Sequence, residues 1–568
     1  TQTGPLKGPI TSMATVYVNG KPVDIGGDRL NVIQAADRGG VFVPHYCWHP
    51  ALSVVASCRM CLVEVGEMKD GKPVMQPKVV PGCQTPAKDG TVIVTNSEKA
   101  KAAQAQTLEG ILLNHPLDCP VCDKAGECLL QDYSYRYGHA QSRMIDVKNT
   151  PPNKPHISSK ITLFTDRCIM CSRCVRFTRE ISGEAELTIL NRGDHSEIDI
   201  FPGKPLENKL AGNVVDLCPV GALGSKDFLY KQRVWYLQNT PSVCPNCSTG
   251  CSVFLDSNKS VLFRLRPREN VQAQGYFMCD EGRFGYHWVN DANRIKRPLA
   301  LKGGQLTVTP WATILPELRQ RFADAVKTKP ASVAAILSPF LTCEEAFLLA
   351  KYLKGLSNDV RLFLGPVPVV GQDDTYPKDR RGRPIEPVKF TIRAEKCPNR
   401  RGVEAILKQF HGEVQQFERA VEAAGRGELT AVWVAAGYPQ GGGYVGPSPW
   451  LSEEQAAALR RAALLVVQDV LPSPVSTKAD YVLPAAAWAE KEGTFVNHAG
   501  LAQQIKKAAH APGESRSEGQ VYADLMGRRG LLHAGPVRAE LAAAVPALAK
   551  LTEALPALGT RLELELVN

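Results

Sequence analysis

The sequence predicts a multidomain α+β and α/β protein, and three observations carry that prediction. At 568 residues the chain is long enough for several separate cores, given roughly 100–200 residues per domain. All but two of its 17 cysteines stand before residue 280, so a cysteine-rich first half precedes a cysteine-poor second half. Beyond Leu299, short apolar strands alternate with amphipathic helices, the pattern of a parallel α/β sheet.

Composition excludes several classes. The formal net charge of +10 is spread over interspersed lysines, arginines and acids, which argues against a nucleic-acid footprint. No stretch approaches the ~18 consecutive apolar residues needed to cross a bilayer, so any membrane link is expected to run through partners. The first twelve residues lack both a secretory apolar core and an arginine-rich transit pattern, and Met13-Ala14 reads as the original start behind an extension. Short C-x2-C pairs read as metal sites in a reducing compartment rather than as disulfides.

Taken in order, Thr15 to Val18, Asn19-Gly20 and Lys21 to Ile25 predict a β-hairpin, because Asn-Gly supplies the positive φ angles of a type I′ turn. A helix is expected from an N-cap at Asp28 to Gly39-Gly40. Hairpin, helix and cysteine loop suit a small α+β ferredoxin unit over residues 13–95. Ser97 to Asn114 predicts a helix that delivers His115, with Pro116 blocking continuation. This opens a second region, 96–150. The Pro-rich stretch Thr150 to Pro155 reads as a linker to a third region, 151–238. A softer boundary near Asn239 to Pro241 opens a fourth, 239–298. In residues 299–568 the predicted strands are Ser332 to Leu337, Val360 to Leu364, Thr430 to Ala435 and Ala463 to Val470. Capping boxes at Thr342-Cys343-Glu344-Glu345 and Ser452-Glu453-Glu454-Gln455 start two of the helices.

Fifteen cysteines and one histidine fall into four sets. Cys47, Cys58, Cys61 and Cys83 are spaced C-x10-C-x2-C-x21-C. Four thiolates with one tight pair suit a [2Fe-2S] cluster, although the x10 gap exceeds the plant-type x4. Zinc, the competing occupant, favours two tight pairs. His115, Cys119, Cys122 and Cys128 form a second set. Imidazole in place of thiolate removes one negative charge, a substitution that raises the potential in Rieske centres; a three-cysteine, one-histidine zinc site is the alternative. In the third set, Cys168, Cys171 and Cys174 at x2, x2 span three corners of a cubane, and the distant Cys218-Pro219 supplies the fourth. Cys244, Cys247, Cys251 and Cys279 form the last set and also suit [4Fe-4S]. Arg264, Arg266, Arg268 and Arg283 beside it could offset cluster charge and tune its potential, although a solvated basic face is the favoured reading. Cys343 and Cys397 receive no role. Gly437 to Gly443 lacks the spacing of a dinucleotide fingerprint and reads as a flexible loop, so neither NADH nor FMN is expected here.

In this order the sets resemble the large peripheral-arm subunit of bacterial respiratory complex I (NADH:quinone oxidoreductase), relative of the mitochondrial 75 kDa subunit. The resemblance implies a [2Fe-2S] β-grasp ferredoxin domain with cluster N1b on Cys47, Cys58, Cys61 and Cys83. It implies [4Fe-4S] N5 on His115, Cys119, Cys122 and Cys128, and [4Fe-4S] N4 on Cys168, Cys171, Cys174 and Cys218. The additional bacterial cluster N7 would sit on Cys244, Cys247, Cys251 and Cys279. Arg294 to Leu299, Ala479 to Pro484 and Glu490 to Asn497 resemble a shortened molybdopterin-oxidoreductase domain, here expected without pterin. Implied too are a flavin/NADH-binding partner, an iron–sulfur partner leading to quinone, and a place on the cytoplasmic face of the inner membrane.

Three functions compete. An electron relay needs no catalytic residue in this chain, only held and desolvated clusters. An NAD-linked molybdenum or tungsten formate dehydrogenase shares the N-terminal plan but needs a metal-ligating cysteine beside a histidine, and no histidine stands between His287 and His411. An iron-only hydrogenase shares that plan too but is excluded on counting, since it needs four further cysteines where two remain. A structural zinc scaffold is the third class, separable by iron and sulfide content.

Overall fold

A computed structural model describes residues 14–564, so the expected start at Met13 lies outside the described residues. The chain divides into two compact units, one holding the residues up to Trp235 with Lys378–Arg383, the other Tyr236–Pro377 with Pro384 onward.

In the first unit, Ala14–Val18 and Lys21–Gly26 form the hairpin, with Asn19 and Gly20 at φ 49° and 83°. Ala14–Val18 also pairs in parallel with Thr91–Val94, and Leu62–Lys69 extends the same sheet on the far side. The helix Val32–Arg38 packs on this sheet through Val32, Ile33, Ala35 and Ala36, and burying Val32 and Ile33 stabilises by roughly 1.5–3 kcal/mol each. Its N-cap is Asn31, not Asp28. Asn31 accepts from the Gln34 amide and Gln34 returns the bond, a closed capping box, whereas Asp28 is engaged by Arg38 at 2.6 Å. The helix Glu98–Leu112, capped by Ser97, is tied to the sheet by Gln104 donating to the Leu62 carbonyl. Thr150 to Pro155 is no free linker: Lys154 bridges to Leu163 through its backbone and bonds Glu197 and Asp199 at 2.9 and 2.5 Å.

The second unit opens with an antiparallel meander, Gln238–Val243, Ser252–Asn258 and Val261–Pro267, and the division between Trp235 and Tyr236 falls close to the boundary expected near Asn239 to Pro241. Its main sheet has seven strands in the order Gln305–Val308, Leu299–Lys302, Tyr481–Pro484, Leu464–Asp469, Ala431–Ala435, Val333–Leu337, Arg361–Leu364. The last five run parallel, and the Leu299–Lys302 hairpin joins them antiparallel. Alternate residues of Val333–Leu337 serve two cores: Val333, Ala335 and Leu337 on one face, Ala334 and Ile336 on the other. Both predicted capping boxes form.

Buried ions lock this unit. Arg294 grips Glu490 through both carboxylate oxygens at 3.0 and 2.8 Å, joining two of the segments that carried the resemblance. Arg538 bonds Glu344 at 2.9 Å and Thr494 at 2.8 Å. Lys491 lies 2.8 Å from Glu345 and 2.8 Å from Glu518. Burial, and then the charge of Glu345, hold the Glu518 carboxyl up at about 8.

Candidate metal centres

In the first unit the sulfurs of the first set meet: Cys47 with Cys58 and Cys83, and Cys83 with Cys61. Local backbone makes this possible. Ala56 and Arg59, flanking Cys58, adopt left-handed φ of 51° and 59°, at a cost of roughly 1–2 kcal/mol per residue. Asn31, which caps the neighbouring helix, also donates to the Cys83 carbonyl at 3.1 Å, and the Gly82 amide bonds the Cys61 carbonyl at 2.9 Å.

The second set surrounds a small cavity lined by His115, Cys119, Cys122, Cys128, Asp118, Gln131 and Arg167. Lys148 donates to the carbonyls of Leu112 and Leu113 at 2.9 and 2.7 Å, capping the helix that leads to His115. Cys128 opens the helix Leu129–Tyr137. Gly221 admits the set: a Cβ there would stand 2.1 Å from the Cys122 sulfur. The buried Nδ1 of His115 has no hydrogen-bond partner. Burial, with Lys148 and Arg167, takes its pKa down to about 4, so the ring is neutral and its lone pair available to a metal.

A second small cavity is lined by Cys168, Cys171, Cys174 and Cys218 together with Ile169, Arg173, Ile198 and Pro219. Met170 and Ser172 take φ of 52° and 58°, and the Met170 amide points at the Cys168 sulfur, 3.4 Å away. The short helix Asn213–Leu217 presents Cys218 at its end.

In the second unit Cys244, Cys247, Cys251 and Cys279 are all buried. A Cβ on Gly282 would lie 2.8 Å from the Cys244 sulfur and 3.7 Å from that of Cys279, while the Gly282 amide donates to the latter at 3.3 Å. The arginines beside this set are not a solvated face. Arg264 and Arg266 are pinned on buried Asp256 at 2.6 and 2.8 Å, and Arg283 is 6% exposed. Asp256 lies on the adjacent strand, where sequence spacing could not pair it. Nor is Gly437 to Gly443 a loose loop: Cβ atoms on Gly442 and Gly443 would strike the Trp288 amide and the Phe284 carbonyl at 2.6 and 2.7 Å.

These donor sets fit polynuclear iron–sulfur groups. Burial raises the thiols of Cys128 and Cys171 to about 11 and those of Cys168 and Cys244 to about 12. Gathered thiols of that kind ionise only for a strongly positive core, and iron is such a core. Among the described residues no three such side chains close to the spacing of a single metal ion.

Beyond the carboxyl ends of the parallel strands, where such sheets bind ligands, aromatic rings cluster. Tyr438 stacks on Trp450 at 4.4 Å, meets Phe340 at 5.1 Å and donates to the Pro366 carbonyl at 2.8 Å, with Tyr444 alongside. Cys343 is packed in the core against Asn399 at 3.4 Å.

Comparison with known proteins gives five family matches in chain order. Residues 11–98 match a 2Fe-2S iron–sulfur cluster binding domain, 104–143 the NADH-ubiquinone oxidoreductase-G iron–sulfur binding region, and 158–224 the ferredoxin-like domain of NADH-quinone oxidoreductase subunit 3. Residues 237–291 match the molybdopterin oxidoreductase Fe4S4 domain and 410–528 molybdopterin oxidoreductase. The G-type subunit of the NADH-quinone oxidoreductase of Rickettsia felis is 33% identical over 61% of this chain and 50% of the relative. A G-type subunit from Rhizobium meliloti is 36% identical over 57% and 37%, and NADH-quinone oxidoreductase subunit 3 of Thermus thermophilus 35% identical over 61% and 46%. The chain thus spans half or less of the length of these relatives. It carries 2Fe-2S and 4Fe-4S binding domains and is similar to the G-type subunits of NADH-quinone oxidoreductases.

Proposed function

We propose that this chain, similar over about three fifths of its length to a G-type subunit of NADH-quinone oxidoreductase, is the electron-relay subunit of such a complex. The observation that carries the reading is the convergence of fifteen cysteines and one histidine into four sulfur-lined sites. Cys47, Cys58, Cys61 and Cys83 would hold one [2Fe-2S] cluster. His115, Cys119, Cys122 and Cys128, then Cys168, Cys171, Cys174 and Cys218, then Cys244, Cys247, Cys251 and Cys279, would hold three [4Fe-4S] clusters. Bound there, the clusters supply one-electron acceptors at potentials set by ligand charge, hydrogen bonds and burial.

The chain's own residues supply the rest of the relay. Three sets share the first unit, and side chains cross between them. Arg176 reaches the carbonyls of Cys47 and Cys171. Arg167, next to Cys168, bonds Asp118, the residue before Cys119, at 2.8 Å. Tyr133, on the helix that Cys128 opens, packs on Tyr46 at 5.1 Å. Fixed side chains of this kind hold redox groups at constant spacing and exclude water, which is what electron transfer asks of a protein. Electrons would enter from a flavin- and NADH-binding subunit and leave through an iron–sulfur subunit leading to quinone. No described helix is long and apolar enough to cross a membrane, and we place the chain peripherally on the cytoplasmic face of the inner membrane, held by partner subunits.

Anaerobically reconstituted protein tests this directly. Metal analysis should give about fourteen irons per chain, and low-temperature EPR of the reduced protein one binuclear and three tetranuclear signals. A colourless protein carrying zinc would overturn the reading.

A further inference from the structure

We propose that Arg173 is a cation shared by the first and third centres, raising the potential of both. The inference rests on the reading that those two centres hold iron–sulfur clusters. Arg173 stands between Cys171 and Cys174, lines the third-set cavity and is 7% exposed. One guanidinium nitrogen donates at 2.5 Å to the carbonyl of Trp48, the residue after Cys47, and another at 3.3 Å to that of Leu217, the residue before Cys218. Its Nε is buried without a partner. Both bonded groups are carbonyls and neither is a carboxylate, so the charge is not neutralised by a local acid.

A guanidinium stays ionised in a protein interior, and a buried cation without a counter-charge is costly. The negative charge that offsets it is the thiolate-ligated group on each side. Because Arg173 touches the backbone of both ligand loops, an electron added at either centre feels the same positive charge. Arg176, one turn on, repeats the arrangement by bonding the carbonyls of Cys47 and Cys171. Arg173 is therefore a positioning and tuning residue of two centres at once.

The test is an EPR-monitored redox titration of the iron-loaded chain, following the binuclear signal and the third-set tetranuclear signal separately. Arg173→Met should lower the reduction equilibrium constant of both by about tenfold or more, read as a fall of about 59 mV per tenfold for a one-electron couple. Arg173→Lys keeps the charge and should stay within about threefold of the parent at both. Arg179→Met, on the exposed side of the next turn, should move neither. Where Arg173→Met does not load iron, Arg173→Gln, which keeps a donor for Trp48, repeats the measurement. A shift confined to one signal, unmoved potentials at full iron content, or an equal fall in Arg173→Lys would each overturn the shared-cation assignment. Loss of both signals from the parent protein would instead remove the cluster reading beneath it.

Discussion

Replacing Lys491 by methionine should destabilise the second unit by an amount that depends on pH. The ammonium lies 2.8 Å from each of Glu345 and Glu518, and the three side chains are 4%, 2% and 1% exposed. With Glu518 held up at about 8, that carboxyl keeps its proton near neutral pH beside the ammonium. Removing the ammonium leaves buried carboxyls without their counter-charge, a loss of about 3–5 kcal/mol for a broken buried pair. Carboxyls deprived of a counter-charge are protonated more readily as the pH falls, so the deficit should shrink as the pH is lowered. Urea unfolding at pH 5, 6 and 7 would measure it, followed by tryptophan fluorescence, six of the seven tryptophans lying beyond residue 230. Adding Glu345→Gln to Lys491→Met should recover most of the loss at pH 7. A deficit equal at pH 5 and pH 7, or none at all, would refute the reasoning.

Gly221→Ala should abolish filling of the second set, since its Cβ would stand 2.1 Å from the Cys122 sulfur; iron content should fall by about four per chain, with the binuclear signal retained. His115→Cys adds a negative charge at the same set and should lower that centre's potential by roughly 100–350 mV, half the span between bis-histidine and all-cysteine binuclear centres, as measured by redox titration. Asp469 is raised from 3.8 to about 7, chiefly by burial. The folded state therefore holds the extra proton, and the associated stability is full below about pH 4 and lost as pH rises to about 7, by at most about 4 kcal/mol. Asp469→Asn should flatten that slope, read as melting temperatures between pH 4 and 8.

Much of the candidate chemistry was legible because cysteine spacing is a local signal, and so were the Asn-Gly hairpin and the two capping boxes. What escaped depends on distant partners. Lys491 sits in Glu490-Lys491-Glu492, where local sequence names no partner for it, and only the folded chain brings Glu345 and Glu518 to it. Arg264 and Arg266 read as a solvated face because Asp256 belongs to the neighbouring strand. Asp28 precedes the helix at a plausible cap position, yet Asn31 wins because Gln34 completes its capping box. Arg173 and Arg176 carried a visible hint, interleaved with the cysteines of the third set, but their reach to Trp48 and Cys47 is a tertiary fact.

The fourth set has an implication for the timing of maturation on the ribosome. Its supporting shell is drawn from the far end of the polypeptide. Gln503 bonds Ser252 and the Gly250 carbonyl, Asn497 bonds the Thr249 carbonyl, and Asn270 bonds the Leu558 carbonyl. The first three sets are complete once residue 218 has been translated, whereas the surroundings of the fourth wait for nearly the whole chain to emerge. Long-range closure of that kind is slow, so a truncated product would mature at its amino-terminal centres and stay immature at the last.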